Sequence, residues 1–297
     1  MTRNVSIVIP VYNDPEGIKE TLETICKQTH DQYNVIPVDN NSIDKTPDVL
    51  EDLTRKYPDL ISPKQEVEIQ SSYAARNTGI EHASGEILLF LDADMWVDET
   101  WIEDMVTTLE SNNYDYLGCN VDVVADDQPN VWEQYEQSFS FPVETYLEDK
   151  QFAPTCALAV RRKVFEEVGL FDERLESGGD KEFGQRVHRA GFDQGYAADV
   201  TAYHPARDSW DALQSKARRI GRGRAQMRKY HPNANNYPHP VHPINYLPPS
   251  PFRLRRRFSG RKTSLSSLVG FYLLEYVLKL FQSYGMIREA ITSRKLS

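Results

Sequence analysis

Short apolar runs alternate along the chain with amphipathic segments, which is the pattern of strands and helices in turn. The run at residues 87–91 has five consecutive apolar positions, as a strand covered on both faces requires. Further strands are predicted at residues 5–9, 35–38, 116–124, 156–160 and 195–203, and helices at 18–26, 46–57, 71–83, 98–109, 162–168 and 180–190. We expect Gly85 to cap the helix that precedes it. The alternation predicts an α/β fold with a mostly parallel, doubly wound sheet and helices on both faces.

The chain divides near residue 212 into two parts of opposite charge. Residues 1–212 hold 42 Asp and Glu against 17 Lys and Arg, a net charge of −25, whereas residues 213–297 hold 2 against 17, a net charge of +15. We therefore predict an α/β domain over residues 1–212 and a basic tail over residues 213–297. The large negative part would repel a polyanion, so nucleic acid is not expected as a partner.

The tail combines a basic run with a helical pattern. Residues 231–251 are rich in proline and predict an extended linker, and an apolar segment at 265–287 predicts an amphipathic helix. Its apolar face is expected to contain Leu268, Phe271, Tyr272, Leu274, Leu278 and Phe281. A basic run before such a helix is typical of a membrane-surface anchor. Packing against a partner chain, or over the α/β domain, are the alternatives.

The three cysteines are far apart and include no C-x-x-C pair, so neither a disulfide framework nor a structural zinc site is indicated. The first apolar run is interrupted by Pro10 and is expected to be a strand and not a secretory signal. We expect a cytoplasmic protein that associates peripherally with the cytoplasmic face of the membrane.

The apolar run at 87–91 ends in two carboxylates, Asp92 and Asp94, separated by Ala93. Ligands of open α/β sheets bind beyond the carboxyl ends of the strands. Side chains two positions apart point to the same side there, so both carboxylates can face one cation. Mg²⁺ and Mn²⁺ favour such oxygen ligands. The alternative is that the two residues only end the strand and cap the next helix.

Two earlier loops bring polar side chains to the same predicted edge. Tyr12 and Asn13 follow the first strand, and residues 39–46 follow the second. Because these loops converge in a doubly wound sheet, a nucleotide would fit between them. Tyr12 could lie against a base, and Asp39 could accept a hydrogen bond from a base imide. Residues 39–46 also fit an Asx turn before a helix, and that alternative stays open.

Four short motifs follow one another in this part of the chain. They are Ile9-Pro10-Val11-Tyr12-Asn13, Asp39-Asn40-Asn41-Ser42-Ile43-Asp44, Ala75-Arg76-Asn77-Thr78-Gly79-Ile80, and Ala83-Ser84-Gly85-Glu86 leading into Asp92-Ala93-Asp94. Together, over roughly residues 4–200, they resemble glycosyltransferase family 2. The resemblance implies the GT-A fold, a nucleotide-sugar donor, Mn²⁺ or Mg²⁺, and inversion at the anomeric carbon.

The resemblance also implies roles for single residues. Asp39 would contact the nucleobase, Arg76 would lie near the nucleotide, and Asp92 would face the ribose and the sugar. Asp94 would be the principal metal ligand, with Asp92 as a second one. The other donor-binding positions would be Pro10, Tyr12, Asn13, Asn41, Asp44 and Asn77.

An inverting transfer also needs a base that takes the proton from the acceptor hydroxyl. Asp180 fits the aspartate of an acidic pair that the family usually shows at the start of a helix, although the first member of the pair is Gly179 here. Glu182 is the second choice, and a helix N-cap is the alternative role of Asp180. His204 could complete the metal shell or touch the diphosphate, as a histidine does in some GT-A enzymes, or it is an ordinary loop residue.

These expectations together predict an inverting, metal-dependent glycosyltransferase that moves a single sugar from a nucleotide-sugar donor to an acceptor hydroxyl. The aromatic, acidic residues 129–152 and the basic tail suit a lipid-linked glycan or a lipid phosphate as the acceptor. One alternative is a catalytically silent nucleotide-sugar-binding protein, which Gly179 favours. A nucleotidyltransferase is less favoured, because residues 10–20 lack a glycine- and lysine-rich phosphate loop.

Overall fold

The computed structural model describes residues 4–138, 141–233, 237–250 and 265–295. The chain divides into two compact units. The first consists of Met1–Asp122, Phe141–Arg174 and Gly179–Pro205, and the second of Val123–Ser140, Leu175–Gly178 and Ala206–Ser297. The second unit therefore contains the predicted tail together with residues 123–140, 175–178 and 206–212 of the predicted α/β domain.

The first unit is built on a sheet. Its strands are β1 Val5–Val11, β2 Tyr33–Asp39, β3 Lys64–Gln65, β4 Ile87–Leu91, β5 Trp96–Val97, β6 Tyr116–Val124, β7 Ala157–Arg161 and β8 Gln194–Pro205. Their order in the sheet is β3-β2-β1-β4-β7-β6-β8-β5. Strand β1 runs parallel to β2 and β4, and β2 runs parallel to β3, whereas β7 is antiparallel to β4 and β6. The predicted α/β fold with a mostly parallel sheet is confirmed.

Helices connect the strands of the first unit and also occur in the second unit. They are α1 Pro15–Ile25, α2 Thr46–Lys56, α3 Ser72–His82, α4 Trp101–Ser111, α5 Val131–Ser138, α6 Val143–Lys150, α7 Arg162–Val168, α8 Gly179–Arg189, α9 Trp210–Tyr230 and α10 Leu265–Lys295. Of these, α5, α9 and α10 belong to the second unit. Side-chain caps begin α1, α3 and α9. Asp14 accepts a hydrogen bond from Gly17 N at α1, Ser71 accepts one from Tyr73 N at α3, and Ser209 accepts one from Ala212 N at α9.

Strands β1 and β4 are buried along their whole lengths, which explains their continuous apolar sequences. Because β1, β2 and β4 are parallel neighbours, the loops that follow them leave the sheet at one edge. That edge carries Tyr12, Asp39 and the two aspartates after β4.

The prediction for Gly85 is wrong. The C-cap of α3 is Ala83, and Gly85 lies beyond it, directly against β1. A Cβ on Gly85 would lie 2.5 Å from Ser6 N and 2.8 Å from Val5 C, and Ser6 Oγ accepts a hydrogen bond from Gly85 N at 2.9 Å. The glycine is therefore required by the close approach of two backbones, not by a helix cap.

The second unit packs α5, α9 and α10 around a core of Tyr135, Leu213, Ala217, Phe271 and Leu278. Two glycines allow α9 and α10 to touch backbone to backbone. A Cβ on Gly221 would overlap the Gln282 carbonyl, and a Cβ on Gly285 would overlap the Arg218 carbonyl.

The structure corrects the expectation for the face of the tail helix. Phe271 and Leu278, which were expected on the membrane-binding face, are buried in the core of the second unit. The proline-rich residues 237–250, predicted to be an extended linker, instead lie along α10, where Lys279 Nζ donates to the Ile244 carbonyl at 2.8 Å and to the Leu247 carbonyl at 2.7 Å. The basic residues 253–262 lie outside the described residues. Among the helices described, none offers a stretch apolar and long enough to cross a membrane.

Candidate active site

Hydrogen bonds join the loop after β1 to the loop after β2. Asn13, with a positive φ of 50°, donates its N–H to Ser42 Oγ, and its Oδ1 accepts from Ile43 N, both at 2.9 Å. Asp14 N donates to Thr46 Oγ1 at 3.0 Å. The side-chain amide oxygen of Asn13 is thus occupied in holding the second loop, although Asn13 was predicted to contact the donor.

Asp39 lies where a base-binding residue was predicted. It is buried, its Oδ1 accepts from Ser42 N at 3.1 Å, and it lines a cavity of about 510 Å³ with Leu50, Lys64 and Gln65. A cavity of this volume is ample for a nucleobase. Tyr12 is 48% exposed in the loop above β1, which leaves its ring accessible to a ligand.

Other predicted donor-binding residues have structural partners. Pro10 is buried inside β1 opposite Val38, and Asp44 Oδ1 accepts from Thr46 N at 2.9 Å in a turn before α2. Asn41 adopts a left-handed φ of 65°, which an asparagine tolerates in a tight turn. The Asx-type turn considered for residues 39–46 is therefore present, and it shapes the loop around Asp39.

Asn77 does not face the loops at the sheet edge. Its Nδ2 donates to the Phe171 carbonyl and its Oδ1 accepts from Phe171 N, each at 3.0 Å. The amide is buried, and this two-way bond joins α3 to the segment before α8. Asn77 therefore has a structural role here, since its side chain holds α3 to the backbone of Phe171.

Arg76 forms an ion pair with Asp92. The Arg76 side chain is 4% exposed; its Nη2 bonds Asp92 Oδ1, and its Nη1 donates to the Ser72 carbonyl at 3.0 Å. Its Nε has no hydrogen-bond partner among the described residues. Asp92 is held by a cation of the protein, so its exposed part is better suited to accept hydrogen bonds from sugar hydroxyls than to bind a metal.

Asp94 faces His204 across a short gap. Asp94 Oδ2 lies 3.7 Å from His204 Nε2, and the Asp94 side chain is 39% exposed while that of His204 is buried. His204 Nδ1 lies 2.6 Å from the Pro205 carbonyl, which can only accept, so Nδ1 carries the proton. The other ring nitrogen, Nε2, is the one that faces the carboxylate.

This arrangement fits a divalent cation that the protein shares with its substrate. A carboxylate oxygen and an imidazole nitrogen are both common metal ligands. Mg²⁺ and Mn²⁺ are commonly held by one or two protein groups plus substrate phosphates. Within the described ranges no three His, Cys, Asp or Glu side chains form a metal-binding group. Asp94 and His204 are two facing side chains that could bind a cation together with substrate phosphates.

Asp14 was not predicted as a site residue, but it lies close to this pair. Burial raises the pKa of the Asp14 carboxyl, and the negative charges of Asp94, Glu16 and Asp44 raise it further. A concentration of negative charge at the carboxyl edge of β1 and β4 therefore already exists in the protein. The only sequence signal for Asp14 was its position before the proline that begins α1.

Asp180 begins α8, as predicted, and Tyr73 holds its backbone. Asp180 N donates to Tyr73 Oη at 3.2 Å, which satisfies one of the otherwise unpaired N–H groups at a helix start. The Tyr73 ring also covers Gly179, because a Cβ there would lie only 2.7 Å from Tyr73 Cζ. The departure from the acidic pair at position 179 thus has a steric cause, and Tyr73 is a residue that sequence reasoning missed.

Glu182, the second choice for the base, has a structural partner. It is buried, and its two oxygens accept from Arg186 Nε at 3.0 Å and Arg186 Nη2 at 2.8 Å. The Arg186 guanidinium also donates to the Leu170 carbonyl at 2.8 Å. This pair ties α8 to the segment before it, and it favours Asp180 over Glu182 as the base.

Cys156 is a buried residue whose backbone is bonded to that of Asp92. Burial raises the pKa of Cys156 well above its ordinary value, the charge of Asp92 raises it further, and Asp180 also contributes, while Arg76 opposes them. The Cys156 carbonyl accepts from Asp92 N at 3.2 Å. Asp92 is therefore joined to Cys156 through the backbone and to Arg76 of α3 through its side chain.

Known proteins of one family are similar to this chain. Residues 6–169 match the model of Glycosyl transferase family 2. Glycosyltransferase AglE of Haloferax volcanii is 37% identical over 225 residues, which cover 75% of this chain and 73% of AglE. Putative glycosyltransferase EpsH of Bacillus subtilis is 34% identical over 119 residues, which cover 40% of this chain and 34% of EpsH.

Solved structures show the same fold. The mannosyltransferase PcManGT from Pyrobaculum calidifontis, in complex with GDP-Man and Mn²⁺, matches with a TM-score of 0.66 at 18% identity over 98% of this chain and 88% of that one. TarS 1–349 of S. aureus, in complex with UDP, matches with a TM-score of 0.54 at 18% identity over 99% and 92% of the two chains. The chain belongs to glycosyl transferase family 2, and it is a glycosyltransferase with the GT-A fold.

Proposed function

We propose that the protein transfers a single sugar, with inversion, from a nucleotide-sugar donor to an acceptor hydroxyl, with Mn²⁺ or Mg²⁺ bound. The observation that carries the proposal is the ion pair of Arg76 with Asp92, next to the Asp94 carboxylate that faces His204 at 3.7 Å. The Tyr73 ring, whose centroid lies 5.7 Å from the Arg76 guanidinium carbon, connects Asp180 to this group, because its hydroxyl accepts from Asp180 N. These are the groups that donor binding, charge neutralisation and proton removal require.

The donor would lie across the loops after β1, β2 and β4. The buried Asp39 carboxylate would accept a hydrogen bond from the base next to the 510 Å³ cavity, and the exposed Tyr12 ring would cover the base. Asp92, oriented by Arg76, would accept hydrogen bonds from ribose or sugar hydroxyls. The orphan Arg76 Nε would donate to a ligand oxygen.

Asp94 and His204 would hold the divalent cation together with the donor diphosphate. When bound, the cation would neutralise the negative charge that develops on the departing nucleoside diphosphate. The gap of 3.7 Å between Asp94 Oδ2 and His204 Nε2, with the Nδ1 proton fixed on the Pro205 carbonyl, supports this role.

Asp180 would act as the base. Its carboxylate would take the proton of the acceptor hydroxyl while the acceptor oxygen bonds to the anomeric carbon and the bond from that carbon to the diphosphate oxygen breaks. Tyr73 would fix the first turn of α8 and so keep the Asp180 carboxylate opposite the leaving group.

A lipid-linked glycan or a lipid phosphate is the acceptor class that the basic tail supports best, with the enzyme at the cytoplasmic face of the membrane. The charge of residues 213–297 attracts phosphate-bearing acceptors and anionic lipid alike. The catalytically silent alternative loses its one supporting feature, because the contact with Tyr73 accounts for Gly179 while Asp180 is retained.

The experiment is a screen of nucleoside diphosphate sugars with Mn²⁺, first for stabilisation against heat and then for hydrolysis and transfer. We expect Asp180→Asn to bind the stabilising donor normally but to transfer at a rate about 10² to 10⁴ times lower. Asp94→Ala should lose the Mn²⁺-dependent stabilisation as well. Asp98→Asn is the control, since this carboxylate lies four residues further on, just after β5, and accepts from Tyr203 Oη. Full turnover in both site variants would contradict the proposal.

A further inference from the structure

Helix α10 has three sides with different surroundings. One side packs on α5 and α9 through Phe271 and Leu278. A second side is covered by the proline-rich segment, where Ser283 Oγ donates to the Asn245 carbonyl at 2.9 Å and Tyr276 Oη donates to the Tyr246 carbonyl at 2.9 Å. The third side remains exposed among the described residues, and it is the only one of the three whose apolar side chains face outward.

The exposed side is a continuous apolar stripe. Its members follow one another at intervals of four, four, three, four and seven residues, which places them on one face of a helix about 33 Å long. Each has at least 36% of its surface exposed. We call these residues the α10 stripe: Val269, Leu273, Val277, Leu280, Tyr284 and Ile291.

The stripe carries no negative charge. Glu275 Oε2 accepts a hydrogen bond from Tyr135 Oη at 2.5 Å, on the packed side of the helix. Glu289 follows Phe271 by about five helical turns and so falls on that same side. The exposed Arg288 comes one turn after Tyr284 at the margin of the stripe.

Arg218 of α9 adds a second cation at this margin. Its guanidinium carbon lies 5.5 Å from the Tyr284 ring centroid and 5.1 Å from that of Phe281. Its buried Nε has no hydrogen-bond partner within the described part of the chain. A guanidinium that lies on the rings bordering an apolar stripe is suited to bind a phosphate oxygen through its terminal nitrogens.

We infer that the α10 stripe docks the enzyme on an anionic lipid surface, with the helix lying flat in the headgroup region and Arg218 and Arg288 at lipid phosphates. Interfacial helices of this kind bury one apolar face and keep cations at its edges. The inference rests on the proposed function and deepens it, since it assigns the helix face of the second unit that would hold the enzyme at a membrane.

Charge favours lipid over a second copy of the chain as the occupant of the stripe. Residues 213–297 carry 17 basic and 2 acidic side chains, so two copies joined along α10 would bring like charges together. An anionic bilayer complements the same charge, at about 1 kcal/mol per basic residue close to the surface.

The test uses the full chain and point variants, because deleting α10 would remove Phe271 and Leu278 from the core of the second unit. Co-sedimentation is measured with vesicles of equimolar phosphatidylcholine and phosphatidylglycerol, and with phosphatidylcholine alone. We expect binding to the anionic vesicles only, weakened by added salt. The double variant Leu273→Glu/Leu280→Glu should bind about 100-fold more weakly, roughly tenfold for each leucine that no longer enters the lipid.

The matched control is Val131→Glu/Val241→Glu, which introduces the same charge at two exposed apolar residues outside α10. The two added negative charges are repelled by anionic lipid in both double variants. Apart from that shared effect, this control should bind vesicles within about twofold of wild type. Arg218→Gln should weaken binding to the anionic vesicles while leaving the stripe intact. Circular dichroism and donor hydrolysis in vesicle-free buffer verify that each variant is folded, and they test the proposed transfer separately from the docking.

Equal vesicle binding by wild type and the stripe variant would overturn the inference, as would an absence of binding by wild type. Sedimentation velocity without lipid distinguishes the other occupant. A wild-type dimer that the stripe variant dissociates, without any affinity for vesicles, would assign the stripe to a second copy.

Discussion

The contact between Gly179 and Tyr73 predicts that even the smallest side chain at position 179 impairs the enzyme. A Cβ there would lie 2.7 Å from Tyr73 Cζ and 2.8 Å from Cε2, whereas ordinary contacts begin at 3.4 Å, so the ring would have to move by about 0.7 Å. Tyr73 has little room to move, because the Phe171 ring centroid lies 5.9 Å from its own and the Arg76 guanidinium lies 5.7 Å away. Any movement also displaces the hydroxyl that accepts from Asp180 N.

The expected size of the effect follows from these contacts. Overpacking of this kind costs about 1–3 kcal/mol, and the hydrogen bond contributes about 1 kcal/mol. Alanine otherwise favours a helix over glycine by up to ~1 kcal/mol, so we expect Gly179→Ala to lower the free energy of unfolding by about 2 kcal/mol. Because displacements near 1 Å cost about 10²-fold in rate, kcat should fall by roughly 10- to 100-fold while donor binding persists.

A double-mutant cycle with Tyr73→Ala isolates the contact. Urea unfolding and kcat are measured for wild type, both single variants and the double variant. With the ring removed, Gly179→Ala should become neutral or stabilising, since its steric penalty is gone while its helix preference remains. If Gly179→Ala destabilises the Tyr73→Ala variant as much as it destabilises wild type, the contact with the Tyr73 ring is not the cause.

The hydroxyl of Tyr73 is tested by Tyr73→Phe, which keeps the ring. We expect kcat to fall by about fivefold to tenfold with donor affinity unchanged. The reason is the loss of the hydrogen bond from Asp180 N at the start of α8, where the proposed base lies. Tyr33→Phe is the control, since it removes a hydroxyl that donates to the Ile25 carbonyl at 2.9 Å. It should cost similar stability without lowering kcat, and an equal loss of kcat in both would assign Tyr73 a merely structural role.

Two stability predictions concern the rest of the chain. Burial raises the pKa of Glu136, but Lys216 and Arg207 outweigh it and hold the pKa below the ordinary 4.5, so the carboxylate stabilises the fold above that pH. Glu136→Gln should cost about 2 kcal/mol at neutral pH in urea unfolding, and the difference from wild type should shrink as the pH falls below 4.5; a pH-independent difference would contradict this. Gly85→Ala should lower the free energy of unfolding by about 2–3 kcal/mol, because its Cβ would meet backbone. Gly270→Ala in α10, with open space around it, should be neutral or stabilising by up to ~1 kcal/mol, and equal effects of the two would refute the close approach.

Local patterns in the sequence were sufficient for the framework of the site. The apolar run of β4 placed Asp92 and Asp94 at a strand end, and the two glycines before Asp180 indicated the start of α8. These predictions depend on neighbours in sequence, since strand burial and helix starts are set by residues a few positions apart. The order of the motifs then carried the family resemblance, which the family match confirms.

Long-range contacts explain what the sequence could not supply. The two hydrogen bonds between Asn77 and Phe171 join residues 94 positions apart. The motif around Asn77 therefore could not show whether its side chain has this structural role or binds the nucleotide-sugar donor. Gly85 has the same sequence signature as a helix cap, and only its approach to Ser6 distinguishes the two roles. Helix α10 is apolar on more than one side, so its pattern did not reveal which face the second unit buries.

The most direct test of the catalytic account is Mn²⁺ binding in the presence of a nucleoside diphosphate, followed by electron paramagnetic resonance with wild type, Asp94→Ala and Asp98→Asn. We expect wild type and Asp98→Asn to bind Mn²⁺ equally. Asp94→Ala should bind it at least about tenfold more weakly, because the carboxylate opposite His204 is gone. Undiminished Mn²⁺ binding by Asp94→Ala would contradict the claim that this edge of the sheet holds a cation against the leaving diphosphate.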